Sequence, residues 1–304
     1  MAIRYIKNES IDFKKWDRCI KKAFNGTIYA YSWYLNIVSE NWDALVDNDY
    51  EKVMPLPNSF LLGNKIIVQP EFTGNLGIFS TTSLDDEIIT SFINAIPNSY
   101  KYIRLNLNKH NVIANSRLNS ASPIAFDLDL IKPYQKLRSL YPKALNVFLM
   151  TAEKLKFSVV AGITVESVIQ LKQSSFSLYS YFFPENLITL QLLVTSAVTN
   201  RLGQMCGVYD SGNKLQGAAF FAWSHQKAIL VYAILNNDKL QLPALSFLID
   251  DFIRNNSEKN LILHFEIARK SKLVPLIESI GAKKSENAFL YKNKLPWYLK
   301  PFEV

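Results

Sequence analysis

The sequence has few cysteines, glycines and histidines. Of its 304 residues, two are cysteine, ten are glycine and three are histidine. Cys19 and Cys206 have neither the spacing of metal ligands nor the pattern of a disulfide framework. Both lie in apolar stretches, which predicts buried thiols. A small disulfide-stapled domain is therefore excluded, and we expect no metal site.

The sequence also lacks a long apolar run. No stretch reaches the ~20 apolar residues of a membrane-spanning helix. Residues 1–10 are polar and charged, without the apolar core of a signal peptide. The hydrophobic fraction of 49% and the aromatic fraction of 13% are typical of a globular chain. We expect a cytoplasmic protein in a reducing compartment, with no stable membrane insertion.

The charge balance is basic, with 34 Lys and Arg against 26 Asp and Glu, a net charge of +8. Such a balance is compatible with binding to nucleic acid, including tRNA, to anionic lipid or to a phosphorylated ligand. It is also typical of a solvated surface rich in lysine and asparagine. The scattered charges, without a long basic block, favour this second interpretation.

Hydrophobic periodicity predicts a mixed α/β first half. The expected helices cover 12–24, 32–39 and 85–96, and the expected strands cover 3–6, 53–62, 65–69, 102–107 and 124–130. A helical connector follows, over about 133–203. Because 304 residues exceed the usual size of one core, we expect two domains, 1–150 and 151–304.

The second half has the clearest element order. Strands are predicted at 205–209, 215–223, 228–235, 261–267 and 288–291, with helices at 243–255 and 270–280. A helix between the third and fourth strands indicates a parallel crossover. Parallel neighbours in such a sheet can part at their ends, and that gap is a natural place for a ligand.

Short stretches across nearly the whole chain support a family resemblance. They are YSWY at 31–34, WDAL at 42–45, MPLP at 54–57, QPEFTGNLG at 69–77, GAAFF at 217–221, FE at 265–266, GA at 281–282 and NKLPW at 293–297. With the element order, they resemble the GNAT acyltransferases and, as two lobes in one chain, the Fem-type (FemABX-like) transferases of bacteria. The resemblance implies an α/β (α+β) fold of two GNAT-like lobes, each a mixed, mostly antiparallel sheet flanked by helices. It also implies acyl or aminoacyl transfer from acyl-CoA or aminoacyl-tRNA to the amine of a small molecule or peptide.

The segment that would hold a cofactor departs from the family pattern. Acetyl-CoA enzymes of this fold bind the pyrophosphate with the amides of a glycine-rich loop. The matching segment is 236–244, in which Asn236, Asn237 and Ala244 would contact the cofactor. It contains no glycine, Asp238 would repel phosphates, and Pro243 lacks an amide donor. We therefore expect weak or absent acetyl-CoA binding. The alternative function is a non-catalytic ligand-binding protein that keeps the fold without this loop.

A second departure concerns the helix expected at 141–154. Related proteins often carry an arginine-rich helix here that contains an asparagine. This chain keeps Tyr141, Lys143, Asn146 and Lys154 but places apolar residues between them. The sequence therefore gives only weak support to a basic surface at this helix that would bind an acceptor or nucleic acid.

The candidate catalytic residues lie on the fourth strand of the second half and its neighbour. Glu266 is at the end of that strand, where the gap would open, and His264 shares its face. Either side chain could act as a base toward an attacking amine, with Tyr232 as a hydroxyl donor and Arg269 as an anchor for an anionic group. A buried pair of Glu266 with Arg269, and a packing role for Tyr232, are the structural alternatives.

The first lobe offers a corresponding set of candidate substrate-binding residues. A glutamine and a threonine among aromatic side chains suit recognition of a polar ligand, as in Trp33, Gln69, Phe72 and Thr73. Burial of the Trp33 ring against a loop is the simpler alternative.

Overall fold

A computed structural model describes residues 2–112, 124–174, 186–236 and 240–302. The chain forms two compact units, Met1–Pro123 with Glu286–Val304, and Ile124–Ser285. This division differs from the halves expected from the sequence, because residues 124–150 join the second unit and the last strand returns to the first. Both differences arise from strand pairings between residues far apart in the chain.

The first unit contains a seven-stranded sheet in the order β1-β2-β3-β4-β6-β14, with β5 paired to β3. Its elements are β1 Ile3–Ile6, α1 Phe13–Lys22, α2 Ser32–Val38, β2 Trp42–Asp47, β3 Lys52–Leu61, β4 Asn64–Val68, β5 Phe79–Ser80, α3 Asp86–Ala95, β6 Tyr100–Asn106 and β14 Phe289–Asn293. The β4–β6 pair is parallel and α3 connects it. A 3-10 helix, Trp297–Phe302, follows β14.

The second unit contains another seven-stranded sheet, in the order β13-β7-β12-β11-β10-β9-β8. Its elements are β7 Ile124–Asp129, α4 Tyr134–Arg138, α5 Lys143–Lys154, β8 Ser158–Ala161, α6 Val165–Ser174, α7 Leu187–Thr199, β9 Gly203–Tyr209, β10 Leu215–Ser224, β11 Lys227–Leu235, α8 Gln241–Asn256, β12 Ile262–Ile267, α9 Val274–Ser279 and β13 Lys283–Glu286. The β11–β12 pair is parallel and α8 connects it. The predicted mixed α/β class, with two mostly antiparallel sheets flanked by helices, is confirmed.

Local sequence explains where several helices begin and which face they bury. The Asp12 and Asp85 carboxylates cap α1 and α3 by accepting from the amides of Lys15 and Ile88. Pro243 lies in the first turn of α8, as expected, because a proline lacks only a donor that is unpaired there. The predicted buried stripe of α8 is confirmed, with Leu245, Leu248, Ile249, Phe252 and Ile253 all buried. These side chains pack with β12 in the core of the second unit.

The strand β2 was not expected from the sequence. All six of its residues are buried, including Asp43 and Asp47, so the apolar alternation of a half-buried strand is absent. Asp43 accepts hydrogen bonds from Tyr5 and Tyr100 and pairs with Lys65 at 3.0 Å. These partners come from three other strands, so local sequence carries no sign of them. No helix among the described residues combines the length and apolarity that a membrane crossing requires.

Candidate active site

The parallel strands β11 and β12 part in the middle of the second sheet. They pair from Lys227–Ile262 to Ile229–His264. Beyond that point β11 continues to Leu235 and β12 to Ile267. A bulge opposite Phe220 and Phe221 adds one residue to β11 at the start of this divergence. The gap predicted from the sequence is therefore present, and the following residues of β12 lie along it.

The alternation of β12 assigns its side chains to two environments. Leu263, Phe265 and Ile267 belong to the hydrophobic core beside α8. His264 and Glu266 therefore lie on the opposite face of the sheet. Their side chains are both only 5% exposed.

An aspartate of the neighbouring strand β7 completes a polar cluster around His264. Asp127 lies directly opposite His264 in the antiparallel register. His264 Nδ1 donates to Asp127 Oδ1 at 2.6 Å, and His264 Nε2 lies 3.5 Å from Glu266 Oε1. The Asp127 side chain is 18% exposed, more than its two neighbours. The structure thus places an imidazole between two carboxylates at the point where the strands part.

The surroundings of His264 favour its charged form. Burial by itself lowers the pKa of this imidazole, but the hydrogen bonds to Asp127 and Glu266 outweigh that effect and raise the pKa above its ordinary value. A histidine with a carboxylate at each ring nitrogen can accept a proton at one nitrogen and release one at the other.

Tyr232 and Arg269 are the other two candidates in the second unit. Tyr232 is a buried residue of β11, beyond the last paired position, and burial raises the pKa of its phenol to about 12. Its hydroxyl therefore stays protonated near neutral pH and can act as a donor. Arg269 follows the end of β12 by two residues and is half-buried.

The residues suggested for cofactor binding make bonds within the second unit. The Asn236 amide donates to the Gln216 carbonyl at 2.8 Å, and its side chain donates to Gln216 Oε1. The amide of the buried Ala244 donates to the Leu240 carbonyl within α8. Asn237 is outside the described residues. Pro243 has no amide to donate, so the described amides of Asn236 and Ala244 are both engaged within the protein.

The substrate-binding candidates of the first unit lie around the segment that follows β4. Gln69 accepts from the Asn106 amide and donates to the Thr73 carbonyl. The Phe72 carbonyl accepts from the buried Tyr34 hydroxyl at 2.5 Å. The Trp33 ring is half-buried, with its centroid 5.3 Å from that of Tyr34. These four candidates thus lie near one another, and at least Gln69 has a structural role.

Gln69 also lines a cavity of about 470 Å³ in the first unit. Its wall includes two carboxylates and two side-chain amides, which are Glu40, Glu71, Asn41 and Asn58. No lysine or arginine is among the described lining residues. The chemistry of this wall suits a ligand that carries an amine.

Sequence reasoning missed Asp127. The strand 124–130 was expected, and its alternation places Asp127 on a polar face. However, Asp127 and His264 are 137 residues apart, and only the pairing of β7 with β12 brings them together.

Comparisons with known proteins identify the fold. No protein-family model matches the sequence, and no curated protein sequence matches it. Among solved structures, the chain is similar to FemX over 99% of both chains, with a TM-score of 0.65 and 9% identity. It is also similar to "L-PGS from Bacillus licheniformis", over 93% of this chain and 92% of that one, with a TM-score of 0.57 and 8% identity. A "Tandem GNAT protein from the clavulanic acid biosynthesis pathway" is matched over 97% and 99%, with a TM-score of 0.55 and 9% identity. The chain therefore has the tandem GNAT, Fem-like fold that the sequence predicted.

Proposed function

We propose that this tandem GNAT protein is an N-acyltransferase, which moves an acyl or aminoacyl group from an activated ester or thioester to an amine. One observation carries the proposal. His264 lies between Asp127 and Glu266 where β11 and β12 part, with ring-nitrogen distances of 2.6 and 3.5 Å. Acyl transfer to an amine needs a group that removes a proton from the attacking nitrogen, and this cluster provides one.

In the proposed reaction the amine nitrogen attacks the carbonyl carbon of the donor. The new C–N bond forms, the bond to the leaving oxygen or sulfur breaks, and the leaving group takes up a proton from water, while the proton lost by the amine is later released from the cluster to water. Glu266 accepts the proton that the amine loses and passes it to Nε2 of neutral His264, whose Nδ1 proton faces Asp127. The resulting imidazolium is stabilised by both carboxylates. Tyr232, protonated because burial raises its pKa to about 12, is the proposed donor to the carbonyl oxygen.

The donor class follows from the segment before α8. Because the amides of Asn236 and Ala244 are engaged and Pro243 has none, we expect little affinity for acetyl-CoA. We therefore propose an aminoacyl ester such as aminoacyl-tRNA as the preferred donor. Calorimetry with acetyl-CoA is the direct check, and a micromolar dissociation constant would reverse this preference.

The first-unit cavity lined by Gln69, Glu40 and Glu71 is proposed, independently of the His264 cluster, to bind a ligand that carries an amine. Two carboxylates without a basic residue in the described wall favour a cationic group. Replacement of both Glu40 and Glu71 by glutamine should weaken the binding of such a ligand, measured by calorimetry, and leave the pKa of His264 unchanged.

The central experiment replaces Glu266 by glutamine, which keeps the shape and removes the charge. Loss of the base should lower turnover by about 100- to 10,000-fold, and loss of the buried carboxylate beside His264 should also lower the melting temperature, so turnover is measured well below it. Asp129→Asn is a matched control, since Asp129 is an exposed carboxylate on β7, two residues from Asp127. We expect that control to retain full activity. Full activity of Glu266→Gln would reject the catalytic role.

A non-catalytic protein with this fold predicts a different outcome. It would bind a donor or acceptor, detected by a thermal shift of the intact chain, and form no acyl product with any donor tested. A ligand at a hundredfold excess over Kd stabilises the folded state by about 2.7 kcal/mol, so binding would be visible in either case.

A further inference from the structure

The stretch from Leu130 to Phe157 of the second unit is strongly basic. It contains six lysines or arginines, Lys132, Lys136, Arg138, Lys143, Lys154 and Lys156, against one acidic residue, Glu153. The five lysines are all exposed, whereas Arg138 is half-buried. This density of positive charge exceeds that of the chain as a whole.

The helix α5 within this stretch has an unusual solvent face. Its inner face buries Leu145, Leu149 and Ala152 in the second-unit core. The residues at the opposite pole, spaced by four, three and four positions, are Lys143, Val147, Met150 and Lys154. Val147 is 50% exposed and Met150 is 52% exposed. The outermost row of a solvated helix is normally polar, but here two apolar side chains lie between two lysines.

The same basic stretch exposes two more apolar side chains before α5. Ile131 is 58% exposed and Leu140 is 64% exposed. Each is next to, or within four residues of, an exposed lysine, Lys132 or Lys136. We call the surface formed by Ile131, Leu140, Val147, Met150 and the five lysines the α5 surface.

We propose that the α5 surface docks on an anionic lipid bilayer. Lysine ammonium groups lie at the level of the phosphates, while their alkyl stems and the aliphatic side chains between them enter the interfacial region. The charge of the surface is complementary to anionic headgroups, and each lysine near such a membrane strengthens the attraction. This inference is independent of the acyltransferase proposal, since it uses none of the same residues.

The chemistry of the α5 surface favours lipid over the other occupants. A nucleic acid would pair its phosphates with the lysines but would leave the exposed aliphatic side chains without an apolar partner. A second copy of the chain, docked through the same surface, would bring two sets of five lysines together with one glutamate each, which is unfavourable. An aliphatic and basic surface matches an anionic bilayer best.

The test is cosedimentation of the full chain with vesicles of phosphatidylcholine alone and of phosphatidylcholine with one-third phosphatidylglycerol. We expect binding to the anionic vesicles that weakens with salt, and little binding to phosphatidylcholine. Lys143→Gln with Lys154→Gln should lower the partition coefficient about 25-fold, or fivefold for each lysine. Val147→Asp with Met150→Asp should lower it by at least about tenfold.

A matched control distinguishes the α5 surface from exposed apolar residues in general. Leu192 of α7 is 51% exposed, but α7 carries no charged residue. Leu192→Asp should therefore leave vesicle binding unchanged. Circular dichroism and the melting temperature establish that each variant is folded.

Three outcomes would overturn the proposal. The first is equal binding of the wild type to neutral and anionic vesicles, or to neither. The second is vesicle binding that the α5 variants retain in full. The third is that the same variants abolish binding to RNA or self-association in solution while vesicle binding stays unchanged.

Discussion

The two units carry the same strand arrangement around different side chains. In each unit one strand, β6 or β12, has a parallel neighbour on one side and an antiparallel neighbour on the other. At the last parallel pair, β6 of the first unit presents Arg104, flanked by Val68 and Tyr291. At the corresponding place, β12 of the second unit presents His264, flanked by Ile229 and Asp127. Only the second set includes a group with an ordinary pKa near neutrality.

The strands also continue differently beyond that pair. In the first unit the chain after β4 returns to β6, because Gln69 binds the Asn106 amide and Leu76 bridges Leu107. In the second unit β11 and β12 diverge with His264 and Glu266 along the gap. The same strand order therefore accompanies a closed joint in the first unit, where the segment after β4 is hydrogen-bonded to β6, and a gap beside His264 in the second unit.

The largest expected effect on stability comes from removing a core side chain of α8, which packs against β12. Leu248 of α8 is 1% exposed and packs in the core that includes Phe265. Leu248→Ala should lower the free energy of unfolding by about 2–5 kcal/mol, measured by urea denaturation. Leu192→Ala on the exposed face of α7 should change it little. An unchanged unfolding midpoint for Leu248→Ala would contradict the packing of α8 against the sheet.

A second substitution tests the closed joint of the first unit. Asn111 is fully buried, accepts from the Ile78 amide and donates to the Ile78 carbonyl. Asn111→Ala leaves the Ile78 amide without its acceptor, whereas Asn25 Nδ2 still donates to the Ile78 carbonyl at 2.8 Å, so the substitution should cost about 1–3 kcal/mol in the same assay. The exposed Asn255→Ala in α8 serves as the control and should cost nothing. If Asn111→Ala lowers the free energy of unfolding by less than about 0.5 kcal/mol, then the hydrogen bonds of Asn111 to Ile78 are not needed for stability.

Substitutions of Gln69 test whether this side chain supports the closed joint or recognises a ligand. Gln69→Ala removes one acceptor and one donor at a half-buried position, so we expect a loss of about 1–2 kcal/mol. Gln69→Glu keeps the acceptor toward Asn106 but sets a carboxylate oxygen against the Thr73 carbonyl, so it should lose at least as much stability. If Gln69→Ala abolishes acceptor binding with stability unchanged, then Gln69 belongs to the binding site rather than to the joint.

The smallest expected effect is a change in pH dependence. The pKa of His264 is raised in the folded state, so protonated His264 stabilises the fold fully below the unfolded pKa near 6.5. That stabilisation is lost as the pH rises through the folded pKa. Asp127→Asn removes the 2.6 Å partner, should lower the pKa of His264 and should flatten this dependence.

Imidazole NMR titration provides the measurement, and His264→Gln assigns the signal among the three histidines. If the acyltransferase proposal holds, the rate at limiting substrate should rise with pH through the same pKa, because neutral His264 receives the proton. An identical His264 pKa in wild type and Asp127→Asn would show that Asp127 does not interact with His264 in solution.

The sequence by itself determined the elements whose periodicity is local. The buried stripe of α8 and the alternation that puts His264 and Glu266 on one face of β12 depend on residues a few positions apart. Element order then indicated the parallel crossover and the gap between its strands. The short strands β5 and β13 were missed, since two to four residues are too few for an alternating pattern to show, and β2 was missed because all six of its residues are buried without alternation.

Only the tertiary structure decided which strands are neighbours. It placed β7 beside β12 and β14 beside β6, and so brought Asp127 to His264 across 137 residues. It also showed that Gln69 and Asn236 hold backbone and side-chain partners inside their own units. The physical reason is that strand pairing and side-chain satisfaction depend on long-range contacts, whereas the propensity of a segment depends on its own residues.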